Sequence, residues 1–229
     1  MATDAATQKL GVSRDSVMLD LCCGRGELAS GFASFCRTIY AVDGSQKMLN
    51  NSIAQPNITY LLHDVNHDAV ALPQPVDCVV IGSAIHWVEP PSMARLLEHN
   101  LKTDGKVLVT HTLLKLEEQP WYSALTELNA SYGRRGIKGF KDLEGADRMH
   151  ACGFGKVDGI RVVRPVHFDA EYLYLNQLSY LYDDFYERVL NDLPGYRQRL
   201  ANVAAPYLDA EGKLSSTLVN WGVVYGALP

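Results

Sequence analysis

Residues 20–29 read DLCCGRGELA, and the reading of this turn decides the fold. Before it stands the apolar run VMLDL, and after it GELASGFASF carries apolar residues at helical spacing. An apolar strand, a turn holding Gly24 and Gly26, and a helix are the opening unit of a sheet that receives a nucleotide. Glycine bends without a Cβ and lets a ligand approach, and a helix N-terminus offers N–H groups to an anion.

The same alternation continues outward. RTIYAVD reads as a second strand, and Ser45 caps a short helix, SQKMLNNS, ended by Pro56. NITYLLHD is a third strand. VDCVVIG is a fourth, and its near-continuous apolar run predicts burial on both faces. After Pro90 and Pro91, Ser92 reads as the cap of the helix MARLLEHNL, and the turn TDG leads into a fifth strand, KVLVTHTLL. This βαβα rhythm predicts an α/β fold, a parallel sheet with helices on both faces.

Beyond Lys115 the pattern loosens. Helices are expected over WYSALTELNASY and KDLEGADRMHACG, then an extended segment, VDGIRVVRPVHF. Residues 169–208 read as two helices, broken near Pro194 and ended near Pro206, and a last strand follows in STLVNWGVVYG. The expectation is a single domain over residues 1–229, with a helical lid at about 169–208 inserted before the last strand.

The bulk properties exclude some functions. With 47% hydrophobic and 21% charged residues, a net charge of −5 and a pI near 5.8, the chain has no basic field for nucleic acid. No apolar run reaches the roughly 20 residues of a membrane span, and MATDAATQKLGV lacks the pattern of a signal peptide. The five cysteines, Cys22, Cys23, Cys36, Cys78 and Cys152, form no CxxC or framework spacing. A reduced, cytoplasmic protein is expected, a monomer or homodimer whose partner is a small molecule.

The second strand ends in Asp43, placed to accept hydrogen bonds from ribose hydroxyls. Gly24-x-Gly26-x-x-Ala29 also satisfies the NAD fingerprint, so an NAD(P)-dependent oxidoreductase is one alternative. Against it, Asp20 stands four residues before Gly24, where a carboxylate opposes cofactor phosphates but suits the amino group of a methionine moiety. Asp64, at the end of the third strand, suits an adenine amino group. The chain also has no room for a separate substrate domain.

On VMLDLCCGRGELA, YAVDGSQKML, LLHDV and DCVVIGSAIHWVEPPSMARLLEHNLKTDGKVLV, in that order, the chain resembles the class I S-adenosylmethionine-dependent methyltransferases. The resemblance extends more loosely to NWGVVYG. It implies a Rossmann-like, seven-stranded sheet whose last strand is antiparallel, and S-adenosylmethionine as cofactor with S-adenosylhomocysteine as product. It also implies that Asp20, Cys22, Gly24 and Gly26 surround the methionine part. Asp43 and Gly44 would then meet the ribose, Met48, Asp64 and Val65 the adenine, and Ser83 and Ala84 the sulfonium side. Two departures stand out: the family has glycine where Cys22 stands, and few residues precede the first strand, where relatives carry covering helices. A protein of this fold that binds the cofactor without methyl transfer is a further alternative.

Methyl transfer from a sulfonium needs alignment and exclusion of water, with a base only where the nucleophile arrives protonated. AIHW is similar to the segment of trans-aconitate-type methyltransferases, and the expected acceptor atom is the oxygen of a carboxylate or hydroxyl. His86 is the candidate catalytic residue, and Trp87 an aromatic wall. His111, Arg134, Arg135 and, from the tyrosine-rich lid, Tyr180 are further substrate candidates. His63 and His67 are spaced like metal ligands, but they run straight off a strand, so no metal site is expected.

Overall fold

The computed structural model describes residues 2–134, 145–179 and 183–228. The strands are β1 (Val17–Leu21), β2 (Thr38–Asp43), β3 (Ile58–Leu62), β4 (Val76–Gly82), β5 (Leu101–Leu114), β6 (Phe154–Phe168) and β7 (Leu214–Ala227). The helices are α1 (Ala2–Leu10), α2 (Glu27–Phe32), α3 (Gln46–Leu49), α4 (Pro90–Asn100), α5 (Tyr122–Ser131), α6 (Ala146–Ala151), α7 (Ala170–Leu178), α8 (Asp183–Asn191) and α9 (Leu193–Ala204). One sheet holds all seven strands in the order β3-β2-β1-β4-β5-β7-β6.

Strands β1 to β5 pair in parallel, with Leu19 opposite Tyr40 on one side and Val79 on the other. β7 runs antiparallel to β5, because its residues count down as those of β5 count up: Thr110 bonds Trp221, Thr112 bonds Asn220, and Lys115 bonds Thr217. This is the Rossmann-like arrangement, with its last strand reversed. The strand order turns back between β1 and β4, so a crevice opens beyond their C-terminal ends.

All five residues of β1 are buried, as befits a strand covered on both faces. Side chains alternate across it. Val17, Leu19 and Leu21 join the core that includes Val79, Ile81 and Met93. Met18 points to the opposite core, with Ala29, Phe32 and Ile39. Burying a side chain the size of Phe32 stabilises the fold by about 2–3 kcal/mol, so the α2 face is fixed firmly.

The chain divides into two compact units. The first comprises the described residues of Met1–Thr112, Lys141–Val162 and Asn220–Pro229; the second, those of Leu113–Phe140 and Val163–Val219. The second has its own core, in which Trp121, Leu173, Tyr196 and Leu200 are almost fully buried. Inside it Tyr196 Oη donates to Asn129 Oδ1 (2.8 Å), and Asn129 Nδ2 donates to Gln177 Oε1 (3.0 Å).

The structure revises four local expectations. Residues 2–10 form a helix, α1, which buries Ala6 and Leu10 beside α2. Helix α4 begins at Pro90 with Glu89 before it, and Ser92 lies within its first turn; proline suits a position whose N–H has no helical partner. Residues 103–105 belong to β5, taken up by a bulge: Val76 faces Leu101, but Cys78 faces Lys106. Among the described residues of 170–204, three helices, α7, α8 and α9, stand where two were expected; Pro194 sits in the first turn of α9.

Candidate active site

By the alternation of β1, Asp20 shares the face of Met18 and points toward α2. It is 1% exposed, and its Oδ2 accepts from Ala29 N at 2.9 Å. That donor of the helix start is therefore already satisfied by the protein. Burial pushes the Asp20 carboxyl up to about 7, and the neighbouring Glu27 and Asp43 carboxylates add to the shift.

The two glycines of the turn are required for different reasons. Gly24 has φ 59°, and a Cβ there would meet no atom within 4 Å: it faces open space. Gly26 has φ 84°, and a Cβ there would run into Tyr60, whose Cε1 lies 2.8 Å away. That phenol is held by the carbonyl of Ile53 at 2.8 Å. Asp43 braces the turn: its Oδ2 accepts from Gly24 N and its Oδ1 from Ser45 N, both at 2.8 Å. Cys22 has φ 56°, the left-handed region where glycine alone is unstrained. Burial, with Asp43, Asp20 and Asp64 nearby, raises its thiol to about 12, so the protonated thiol is no nucleophile at neutral pH.

Beside this turn lies a cavity of about 310 Å³. Asp20, Cys22, Cys23, Glu27 and Leu28 line it from the β1 side, Gly82 and Ser83 from β4, and Thr110 and Thr112 from β5. Among the described residues, its charged lining is two carboxylates, with no lysine or arginine. A ligand carrying closely spaced positive charges fits this wall. A pyrophosphate would stand against it.

Two further loops border the same strand ends. After β3, Asp64 is exposed and Val65 buried at 8%. Gly44 packs near the Asp64 backbone (3.6 Å from a Cβ position to Asp64 Cα), and Met48 is 47% exposed. After β4, Ser83 is left-handed (φ 55°) and donates its N–H to the Thr110 carbonyl at 2.7 Å. Ala84 is buried; a 3-10 turn, Ile85–Trp87, follows. Trp87 is 64% exposed, and its ring centroid lies 5.0 Å from that of His86. Burial and the Arg148 guanidinium hold the His86 pKa below the usual histidine value, so the imidazole is neutral at pH 7.

No curated protein matches the chain. Residues 18–105, from β1 into β5, match the sequence family described as a methyltransferase domain. A candidate type II methyltransferase from Anaeromyxobacter dehalogenans is 15% identical over 98% of this chain and 96% of its own, with a TM-score of 0.68. The match over residues 18–105 is to a methyltransferase domain, and the likeness to solved structures is one of fold. Two other solved structures share the fold. A candidate methyltransferase from Bacillus halodurans is 16% identical over 99% of both chains, with a TM-score of 0.56. A SAM-dependent methyltransferase from Thiobacillus denitrificans, solved with S-adenosylhomocysteine, is 15% identical over 99% of this chain and 90% of its own, with a TM-score of 0.50.

The remaining substrate candidates are placed as follows. His111 sits between Thr110 and Thr112 on β5 and so points to the opposite face from the cavity, stacked on Trp221 at 5.3 Å. Arg134 belongs to the second unit, where its Nη1 donates to Gln177 Oε1 (3.0 Å) and its guanidinium lies over the Phe185 ring. Arg135 and Tyr180 lie outside the described residues. Of the tyrosine stripe, Tyr174 packs near Tyr196 in the second core while Tyr172 is about half exposed.

Glu27, Thr110, Thr112 and Asn66 were not singled out from sequence. Glu27 directly follows Gly26, and Thr110 and Thr112 share the period-2 face of Leu108, so a local signal existed for these three. Asn66 had none, because its partners, Trp87 and Glu89, are over twenty residues away.

Proposed function

We propose that this protein is an S-adenosylmethionine-dependent methyltransferase acting on a hydroxyl oxygen of a small molecule. The observation that carries the reading is the cavity at the ends of β1, β4 and β5, walled by Asp20 and Glu27 with no cation among the described residues, beside a turn that bears a neutral histidine. When bound, S-adenosylmethionine supplies an activated methyl group on a cationic sulfur. Asp20 and Glu27 favour the positive charge of the methionine end, and the open space at Gly24 leaves room for it. Each Asp43 oxygen, already holding one backbone N–H, has a second lone pair for a ribose hydroxyl. Met48 and Val65 flank the adenine, and Asp64 and Gly44 meet its edge and the ribose; Ser83 and Ala84 stand on the sulfonium side.

The acidic wall also bears on the acceptor. A carboxylate would be repelled by Asp20 and Glu27, whereas a neutral hydroxyl carries no such penalty. A hydroxyl needs a base, and His86, neutral at pH 7, takes that proton while Trp87 forms an apolar wall. In this reading the protein works in the reduced cytoplasm as a monomer or homodimer without nucleic acid.

Calorimetry with S-adenosylmethionine, S-adenosylhomocysteine and NAD tests the cofactor; the first two should bind and the third should not. Methyl-transfer assays over matched hydroxyl and carboxylate acceptors test the acceptor. His86→Ala is expected to lower turnover about a hundredfold, with cofactor affinity within about threefold. Wild-type turnover in that variant removes His86 from the chemistry. Cofactor binding with no transfer to any acceptor would favour the non-methylating alternative.

A further inference from the structure

The loop after β3 and the loop after β4 meet through one side chain. Asn66 Nδ2 donates to the Trp87 carbonyl at 2.8 Å, and Asn66 Oδ1 accepts from Glu89 N at 2.9 Å. Both are main-chain groups at the junction between the 3-10 turn and α4, where neither element supplies a partner. A side-chain amide offers a donor and an acceptor on neighbouring atoms, and Asn66 uses both here.

At its own end, Asn66 is fixed within the adenine-side loop. Its N–H donates to Asp64 Oδ1 (3.0 Å), while Asp64 N donates to Asp68 Oδ2 (2.7 Å) and Asp68 N to the Asp64 carbonyl (2.6 Å). The loop therefore closes on itself and holds the Asn66 side chain outward. Ser92 Oγ, on α4, approaches the Asn66 carbonyl at 3.4 Å. The apolar link runs the same way: Val65 shares a core with Ala84, Ile85 and Val88.

We infer that Asn66 is a positioning residue that transmits occupancy of the cofactor's adenine side to the His86–Trp87 segment. A displacement of Asp64 and Val65 moves Asn66, and Asn66 sets both ends of the stretch that follows His86. The acceptor side is thereby ordered once the cofactor is in place, and by linkage an acceptor tightens the cofactor in return. The inference rests on the methyltransferase reading, and the test separates the two.

The experiment is amide hydrogen exchange with and without S-adenosylhomocysteine, in the wild type, in Asn66→Ala and in Asn66→Asp, which keeps the acceptor and loses the donor. In the wild type the ligand should slow exchange at 22–26 and, about tenfold, at 85–89. In Asn66→Ala the slowing at 22–26 should persist while that at 85–89 falls below about twofold, and Asn66→Asp should lie between. Equal slowing at 85–89 in all three proteins overturns the inference, as does a wild type slowed at 22–26 alone. Should Asn66→Ala not fold, Asn66→Asp decides by the same comparison. No slowing at 22–26 and no heat of binding in the wild type means that the cofactor reading itself has failed.

Discussion

The turn after β1 and the turn after β4 flank one cavity, and each begins with a left-handed residue that is not glycine, Cys22 and Ser83. Beyond that they differ. The β1 turn is braced by carboxylates close at hand, with Asp20 on Ala29 and Asp43 on Gly24 and Ser45, and it buries its acid. The β4 turn is held by groups from elsewhere in the sequence, Asn66 on Trp87 and Glu89 and Arg148 on the Val88 carbonyl, and it exposes its aromatic residue. Buried charges fix one turn and set its preference for a cation. Borrowed hydrogen bonds hold the other, so it answers to its neighbours.

The largest effect expected from this contrast is electrostatic. The folded pKa of Asp20, about 7, lies above its unfolded value near 3.8, so the folded protein holds the proton more tightly. Its contribution is fully present below pH 4 and is lost as pH rises to 7, by about 4 kcal/mol at most. Asp20→Asn, which keeps an acceptor for Ala29, should flatten that loss and raise the melting temperature of the ligand-free protein at pH 8. A cationic ligand favours the carboxylate, so S-adenosylmethionine affinity should rise with pH up to about 7 in the wild type and not in the variant. Affinity independent of pH would detach Asp20 from the cofactor.

Next is Asp43→Ala, which removes two charge-assisted hydrogen bonds from the β1 turn. It should lower unfolding stability by about 2–4 kcal/mol and weaken S-adenosylmethionine binding at least tenfold. Unchanged affinity in calorimetry would confine Asp43 to bracing the loop. Smaller still is the contrast between the two glycines. Gly26→Ala meets Tyr60 as well as a left-handed backbone and should destabilise by about 2–3 kcal/mol. Gly24→Ala should cost about 1 kcal/mol, yet abolish detectable cofactor binding, because its Cβ projects into open space. Full binding by Gly24→Ala would move the ligand away from that space.

This contrast also explains what the sequence disclosed. The β1 turn was legible because its determinants are local: an apolar strand, glycines at fixed offsets, and an acid at the end of the next strand. The parallel core followed from the same alternation. Asn66 and Arg148 were not legible, since their partners are set by which loops the sheet brings together. The partners of Arg134, Gln177 and Phe185, were not legible either, because they come from over forty residues away. The side of β5 that His111 takes was not legible, because a one-residue step along a strand reverses the side chain.

The smallest expected effect concerns Cys22, where the family resemblance and the backbone point to the same fact. Cys22 stands at φ 56°, where glycine is unstrained, and adopts it at a penalty of about 1–2 kcal/mol. Cys22→Gly relieves that strain but gives up the packing of a partly buried thiol against the adjoining core and adds freedom to the unfolded chain. The terms nearly cancel, so stability should change by less than about 1 kcal/mol. Because Cys22 lines the cavity without a charge to offer, cofactor affinity should shift by less than about threefold. A tenfold loss would make the thiol a ligand contact in its own right, whereas a tenfold gain would mean that its Cβ narrows a mouth that glycine leaves open.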